Sequence, residues 1–128
     1  MLFRSFARSF QVEVVTYCMS YVESAAVPLF LAGDRRVSLT HSSFCIHQPL
    51  ITFSAESKRS ISDFDEGISQ LKLDRKHMAA LIVERAGLSA KRALRMIDKG
   101  TILDAESAVK CRIATEVGRL QIDRKSVV

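Results

Sequence analysis

From Ile61 onward the apolar residues Ile61, Phe64, Ile68, Leu71, Met78 and Ile82 recur at three- and four-residue steps, the period of one amphipathic helix. Gly87 closes the run, so residues 61–86 form a helix of roughly seven turns whose apolar stripe is interrupted by Arg75. A single-domain chain of 128 residues, 48% of them apolar, supports one modest core. A helix that long overruns such a core, and part of its face is expected to meet a partner.

Ahead of this helix lies a compact strand–helix–strand pattern. Residues 12–18 are rich in β-formers and lead to Ser24, which is placed at a strand-to-helix turn. The helix is expected from Ser24 to Ala32, with Pro28 near the end of its first turn and Gly33 as its C-cap. Asp34, Arg35 and Arg36 make a charged turn, Val37 to Leu39 a short strand, and Phe44 to Ile46 a buried strand that ends at His47. Residues 49–60 are polar and irregular, an expected mobile connection. Past the long helix, Ser89 caps a second helix to about Lys99 and Asp104 caps a third through Cys111. The tail from Gly118 reads as an edge strand with a frayed end, around Leu120, Gln121 and Ile122. The divisions are therefore residues 1–49 (core with Ser24 and His47), 50–60 (loop), 61–86 (long helix) and 89–128 (terminal helices and strand).

Nineteen basic against fourteen acidic residues give a net charge of +5. The cations are dispersed as pairs, Arg35-Arg36, Lys91-Arg92 and Arg124-Lys125, whereas phosphate binding requires a concentrated patch. Nucleic acid is not expected as a partner. Cys18, Cys45 and Cys111 are odd in number and far apart, which points to reduced, buried thiols in a cytoplasmic protein. Cys45 and His47 share one strand face, but two ligands make no zinc site, and no metal or other cofactor is expected. The longest mostly apolar span, residues 12–33, carries Glu13 and Glu23 and is not a membrane span. Residues 1–10 contain no acid and place Leu2, Phe3, Phe6 and Phe10 at helical spacing; an organellar presequence and an amphipathic helix packed on a sheet both fit, and the short link to the following strand favours the second.

A serine hydroxyl is a weak nucleophile at neutral pH and needs a base within hydrogen-bond reach, itself oriented by a third group. Ser24 and His47 supply the first two, and the 23 residues between them suffice for a helix, a turn and a strand that bring two strand ends side by side. The backbone N–H of Ala25 is the first free donor at the turn and is placed to hold an oxyanion. From spacing alone the plainer reading leads: a serine at a helix start is more often an N-cap, and a histidine at a strand end more often structural. His41 and His77 lack comparable context, and the acids of Asp104-Ala105-Glu106 are explained by helix capping.

The segment Thr16-Tyr17-Cys18-Met19-Ser20-Tyr21-Val22-Glu23-Ser24, then Leu29-Phe30-Leu31-Ala32-Gly33-Asp34, then Ile46-His47-Gln48-Pro49 resembles the proteolytic subunit of the Clp protease and its relatives. That family carries a Thr-x-Cys-x-Gly-x-Ala-Ala-Ser block with its nucleophile at the position of Ser24, an Ala-Gly-Asp at Ala32-Gly33-Asp34, and an Ile-His-Gln-Pro block with its base at His47. The likeness extends through the long helix, similar to the family's handle helix, and from Ala105 to Glu116. It implies an α/β fold of the crotonase-like type and a serine endopeptidase acting on polypeptides. It also implies a ring of identical subunits and an unfoldase partner that alone uses ATP.

The departures bear on activity. Gly100 stands where the family's catalytic aspartate aligns, and Asp98, two residues earlier, is the candidate replacement. Ser20 replaces a glycine, and Val22-Glu23 replaces two alanines beside the nucleophile. Leu50 to Ala55 replaces a Gly-rich segment that lines the peptide groove, and the first strands with their Pro-Gly-Gly loop have no counterpart. Three readings follow: an active Clp-type peptidase subunit, a structural subunit or fragment with impaired catalysis, and a different activity on the same fold such as binding an acyl-CoA thioester.

Overall fold

The structure is a computed structural model that describes residues 5–6, 9–55 and 58–120. Its elements in chain order are β1 (Val15–Cys18), β2 (Tyr21–Glu23), α1 (Ala26–Leu31), β3 (Arg35–Leu39), β4 (Ser43–Ile46), α2 (Ile61–Ala86), α3 (Ala90–Lys99), β5 (Thr101–Asp104), α4 (Ala105–Lys110) and β6 (Glu116–Gly118). They form a mixed α/β fold with two three-stranded sheets, ordered β1-β3-β6 and β2-β4-β5. The first sheet is parallel throughout; in the second, β2 runs parallel and β5 antiparallel to β4.

The strand that delivers Ser24 is β2, not residues 12–18. After β1 the chain bends at Met19 and Ser20 and changes sheets, so β1 pairs with β3 while β2 pairs with β4. Helix α1 consequently starts two residues later than expected, with Ala25 as its N-cap. Its C-terminus also differs, because Ala32 is right-handed and Gly33 has no positive φ. Gly33 serves close approach instead. A Cβ there would collide with the Thr16 side chain and lie 2.7 Å from the Arg35 carbonyl oxygen, so β1 and β3 can pair at this depth only over a glycine.

Phe44, Leu31, Ile46, Ile82, Ile97 and Ile113 are fully buried and form the core, with the Phe30 and Phe44 rings 5.0 Å apart. Arg36 is buried among them on β3. Its guanidinium donates to the carbonyl oxygens of Ile113, Gly33, Arg85 and Arg112, which offsets much of the cost of taking the charge from water.

Only the C-terminal half of α2 faces this core, through Met78, Ala79, Ile82 and Ala86. The helix begins on a capping box in which Ser60 accepts from the Asp63 N–H and Asp63 from the Ser60 N–H, and it ends on left-handed Gly87. Its first turns stand off the core: Ile61 is 82% exposed and Phe64 and Ile68 are 49% exposed. What covers them in part is the irregular segment before the helix. Ile51 and Phe53 lie against Gly67, and the Phe53 ring meets Phe64 edge-on at 5.3 Å.

Three further expectations change. Ser5, Phe6 and Ser9 are helical, but Phe6 and Phe10 are 65% and 64% exposed and meet each other edge-on rather than packing on a sheet. Of the three thiols, all free, only Cys18 is buried, and burial pushes it up; Cys45 and Cys111 are half-buried. The terminal strand is β6, ending at Gly118, and residues 121–128 of the expected edge strand lie outside the described residues. Among the described residues no helix is long and apolar enough to cross a membrane.

Candidate active site

Ser24 sits between the last residue of β2 and the N-cap of α1 with φ +52°, one of three non-glycine residues with positive φ among those described. A left-handed backbone is unfavourable for an L-residue and persists only where the surroundings impose it. Here both sides do: the Ser24 N–H donates to the Cys45 carbonyl oxygen of β4 at 3.4 Å, and the Val27 N–H returns to the Ser24 carbonyl at 3.1 Å. The hydroxyl is thereby carried on a sharp strand-to-helix corner, the geometry that exposes a nucleophile in elbow-type hydrolases.

Beside this corner runs an open groove of about 700 Å³. It is lined by Ser24, Ala25 and Pro28 at the corner, by Pro49, and by His77, Met78 and Leu81 of α2 together with Asp74 and Glu84. His77 has no distinguishing local motif. Its spacing with Asp74, Leu81 and Glu84 at three and four residues is the signal that puts all four on one helix face.

His47 follows β4, the parallel neighbour of β2, so serine and histidine come from adjacent strand ends. The ring is one-fifth exposed. Its Nδ1 lies 2.6 Å from the backbone carbonyl oxygen of Gln48, and its Nε2 lies 3.5 Å from Glu23 Oε1. No hydrogen bond joins Ser24 Oγ to His47 among the described residues.

Asp98 is turned elsewhere. Arg75 grips its carboxylate with two parallel bonds of 2.7 and 2.6 Å, and the Gln48 side chain donates to the same carboxylate at 3.3 Å. The Arg75 bond, more than any other influence, holds this carboxyl below the usual range. Arg75, which breaks the apolar stripe of α2, thus ties α2 to the end of α3. Gly100, the left-handed cap of α3, stands next to His47 with no side chain to offer.

Glu23 is the charge directly before Ser24 in the sequence. It projects from the exposed side of β2 with Tyr21, and its register partner on β4 is Cys45. The Tyr21 phenol is pushed up to about 12, first by its hydrogen bond with Cys45, then by burial and by the charges of Cys45 and Glu23. Among the described residues no three His, Cys, Asp or Glu side chains are grouped to hold a metal ion.

A mixed α/β chain with a serine on a left-handed corner, a histidine on the adjacent strand end and a groove along a helix is an α/β protein with an elbow-type strand-to-helix turn. The Clp protease family model matches residues 6–121, and the chain belongs to that family. It is 31% identical over 98 residues to the ATP-dependent Clp protease proteolytic subunit 3 of Synechococcus sp. (strain CC9605), covering 75% of this chain and 48% of that protein. Against the ATP-dependent Clp protease proteolytic subunit of Chlorella vulgaris it is 27% identical over 107 residues, 82% of this chain and 51% of the relative. The chain therefore spans about half the length of the curated relatives it matches.

Proposed function

We propose that this chain is the serine- and histidine-bearing part of a Clp-type proteolytic subunit on a crotonase-like fold, and that it hydrolyses peptide bonds. The observation that carries this reading is the left-handed corner at Ser24, held by β4, whose own end bears His47. A peptide laid in the groove would present its carbonyl carbon to Ser24 Oγ. His47 Nε2 takes the hydroxyl proton as the C–O bond forms, and the Ala25 N–H donates to the resulting oxyanion. The same proton then passes to the leaving amine, and water repeats the sequence on the acyl-enzyme. Productive geometry requires His47 Nε2 to turn from Glu23 to Ser24 Oγ.

Family membership extends the proposal to the assembly. The exposed first turns of α2 are read as the surface that docks identical subunits into a ring, and an ATPase unfoldase partner is read as the supplier of cytoplasmic polypeptide substrates. Labelling by a fluorophosphonate tests the centre: modification at Ser24 that is lost in both Ser24→Ala and His47→Ala is expected, and labelling that survives Ser24→Ala would remove the proposal.

A second reading, a structural subunit without turnover, is favoured by one observation. The position beside His47 is held by Gly100, and Asp98 is committed to Arg75. A folded chain that joins a ring of relatives but takes no label would establish it.

A further inference from the structure

We propose that Glu23 is a positioning residue that holds His47 away from Ser24. The inference rests on the Ser24–His47 reading above and names what regulates that centre. A backbone carbonyl oxygen can only accept, so the 2.6 Å contact with Gln48 fixes a proton on His47 Nδ1. Nε2 is then the nitrogen left to act as base, and it is the one that faces Glu23 Oε1 at 3.5 Å. A carboxylate also only accepts. Glu23 therefore competes with the Ser24 hydroxyl for Nε2, and while the ring faces Glu23 that nitrogen is not turned to the nucleophile.

The other charged groups nearby do not relieve this. Asp98 reaches the histidine only through Gln48 and is neutralised by Arg75. Gly100 offers no competing carboxylate to draw the ring round. Glu23 is the residue before the nucleophile, so the alternation of β2 puts its side chain on the sheet face that His47 approaches, while the left-handed turn carries Ser24 toward the groove. For Ser24 to be activated, the ring must swing from Glu23 to the serine.

The test compares fluorophosphonate labelling rates of wild type, Glu23→Ala and Glu23→Asp in the full chain, with circular dichroism to confirm folding. Glu23 is nearly half exposed, so the pair is modest, and Glu23→Ala is expected to label about two- to fivefold faster. Glu23→Asp, which keeps the charge but withdraws it by one methylene, should fall between. Raising salt from about 0.05 to 0.5 M should speed the wild type and leave Glu23→Ala unchanged, a response that a merely structural side chain does not produce. Labelling of Glu23→Ala at or below the wild-type rate overturns the role of Glu23 while leaving the Ser24–His47 centre intact. Absence of labelling from all three overturns both.

Discussion

Gly100 caps α3 with φ +67°, and a Cβ built on it would stand 4.0 Å from the Cβ of His47. A side chain placed at this position would therefore start beside His47. Asp and Asn tolerate a left-handed backbone better than most residues, so both can be installed there. Gly100→Asp is expected to draw His47 Nδ1 from the Gln48 carbonyl and to raise Ser24 labelling about tenfold or more over Gly100→Asn, which matches its shape without its charge. Equal rates for the two variants would show that the position does not reach the ring.

The Arg75–Asp98 pair gives the fold an acid-sensitive joint between α2 and α3. Asp98 is depressed by Arg75, and Asp63 and Asp104 by the N–H groups they accept at helix starts. Carboxyls lowered on folding contribute stability that is present above the unfolded value of about 4 and is lost as pH falls through the folded values. Urea midpoints should thus be level from neutral pH down to about 5 and fall below about 4. Asp98→Asn should start lower and show a shallower acid decline; an unchanged acid slope in that variant would contradict the assignment.

The two halves of α2 should respond oppositely to truncation. Ile82 is fully buried against the core, and Ile82→Ala is expected to cost about 2–5 kcal/mol in denaturant unfolding. Phe64 and Ile68 are half-exposed, and replacing both by serine should leave the folded chain's own melting within about 1 kcal/mol. If these turns dock neighbouring subunits, the double variant loses its high-mass species in analytical ultracentrifugation. A subunit that assembles unchanged would locate the ring contact elsewhere.

How far the sequence was readable follows from the range of the forces involved. Ser89, Asp104 and Gly87 were legible as helix ends because a cap is settled within four residues. Strands β2 and β5 were not, since three- and four-residue strands gain their stability from β4, which lies tens of residues away. Gly33 was misread for a related reason: a glycine after a helix suggests a left-handed cap, but Thr16 and Arg35 need the space. At the site, Ser24 and His47 stood out by residue type and order. That Glu23 faces His47 and that Arg75 takes Asp98 depend on contacts spanning 24 and 23 residues, which no local pattern encodes.

The strained corner itself makes a measurable trade. Holding a serine at φ +52° costs about 1–2 kcal/mol relative to a residue free to adopt that region. Glycine removes this cost but adds about 0.4–1 kcal/mol of chain entropy to the unfolded state. Ser24→Gly should therefore be more stable than Ser24→Ala, which keeps the strain, by up to about 1.6 kcal/mol, and neither should label. The comparison isolates backbone strain, because both variants lack the hydroxyl and differ by a single methyl group. A more stable alanine variant would mean that the left-handed turn is relaxed in solution, and with it the support for Ser24 as a positioned nucleophile would fall.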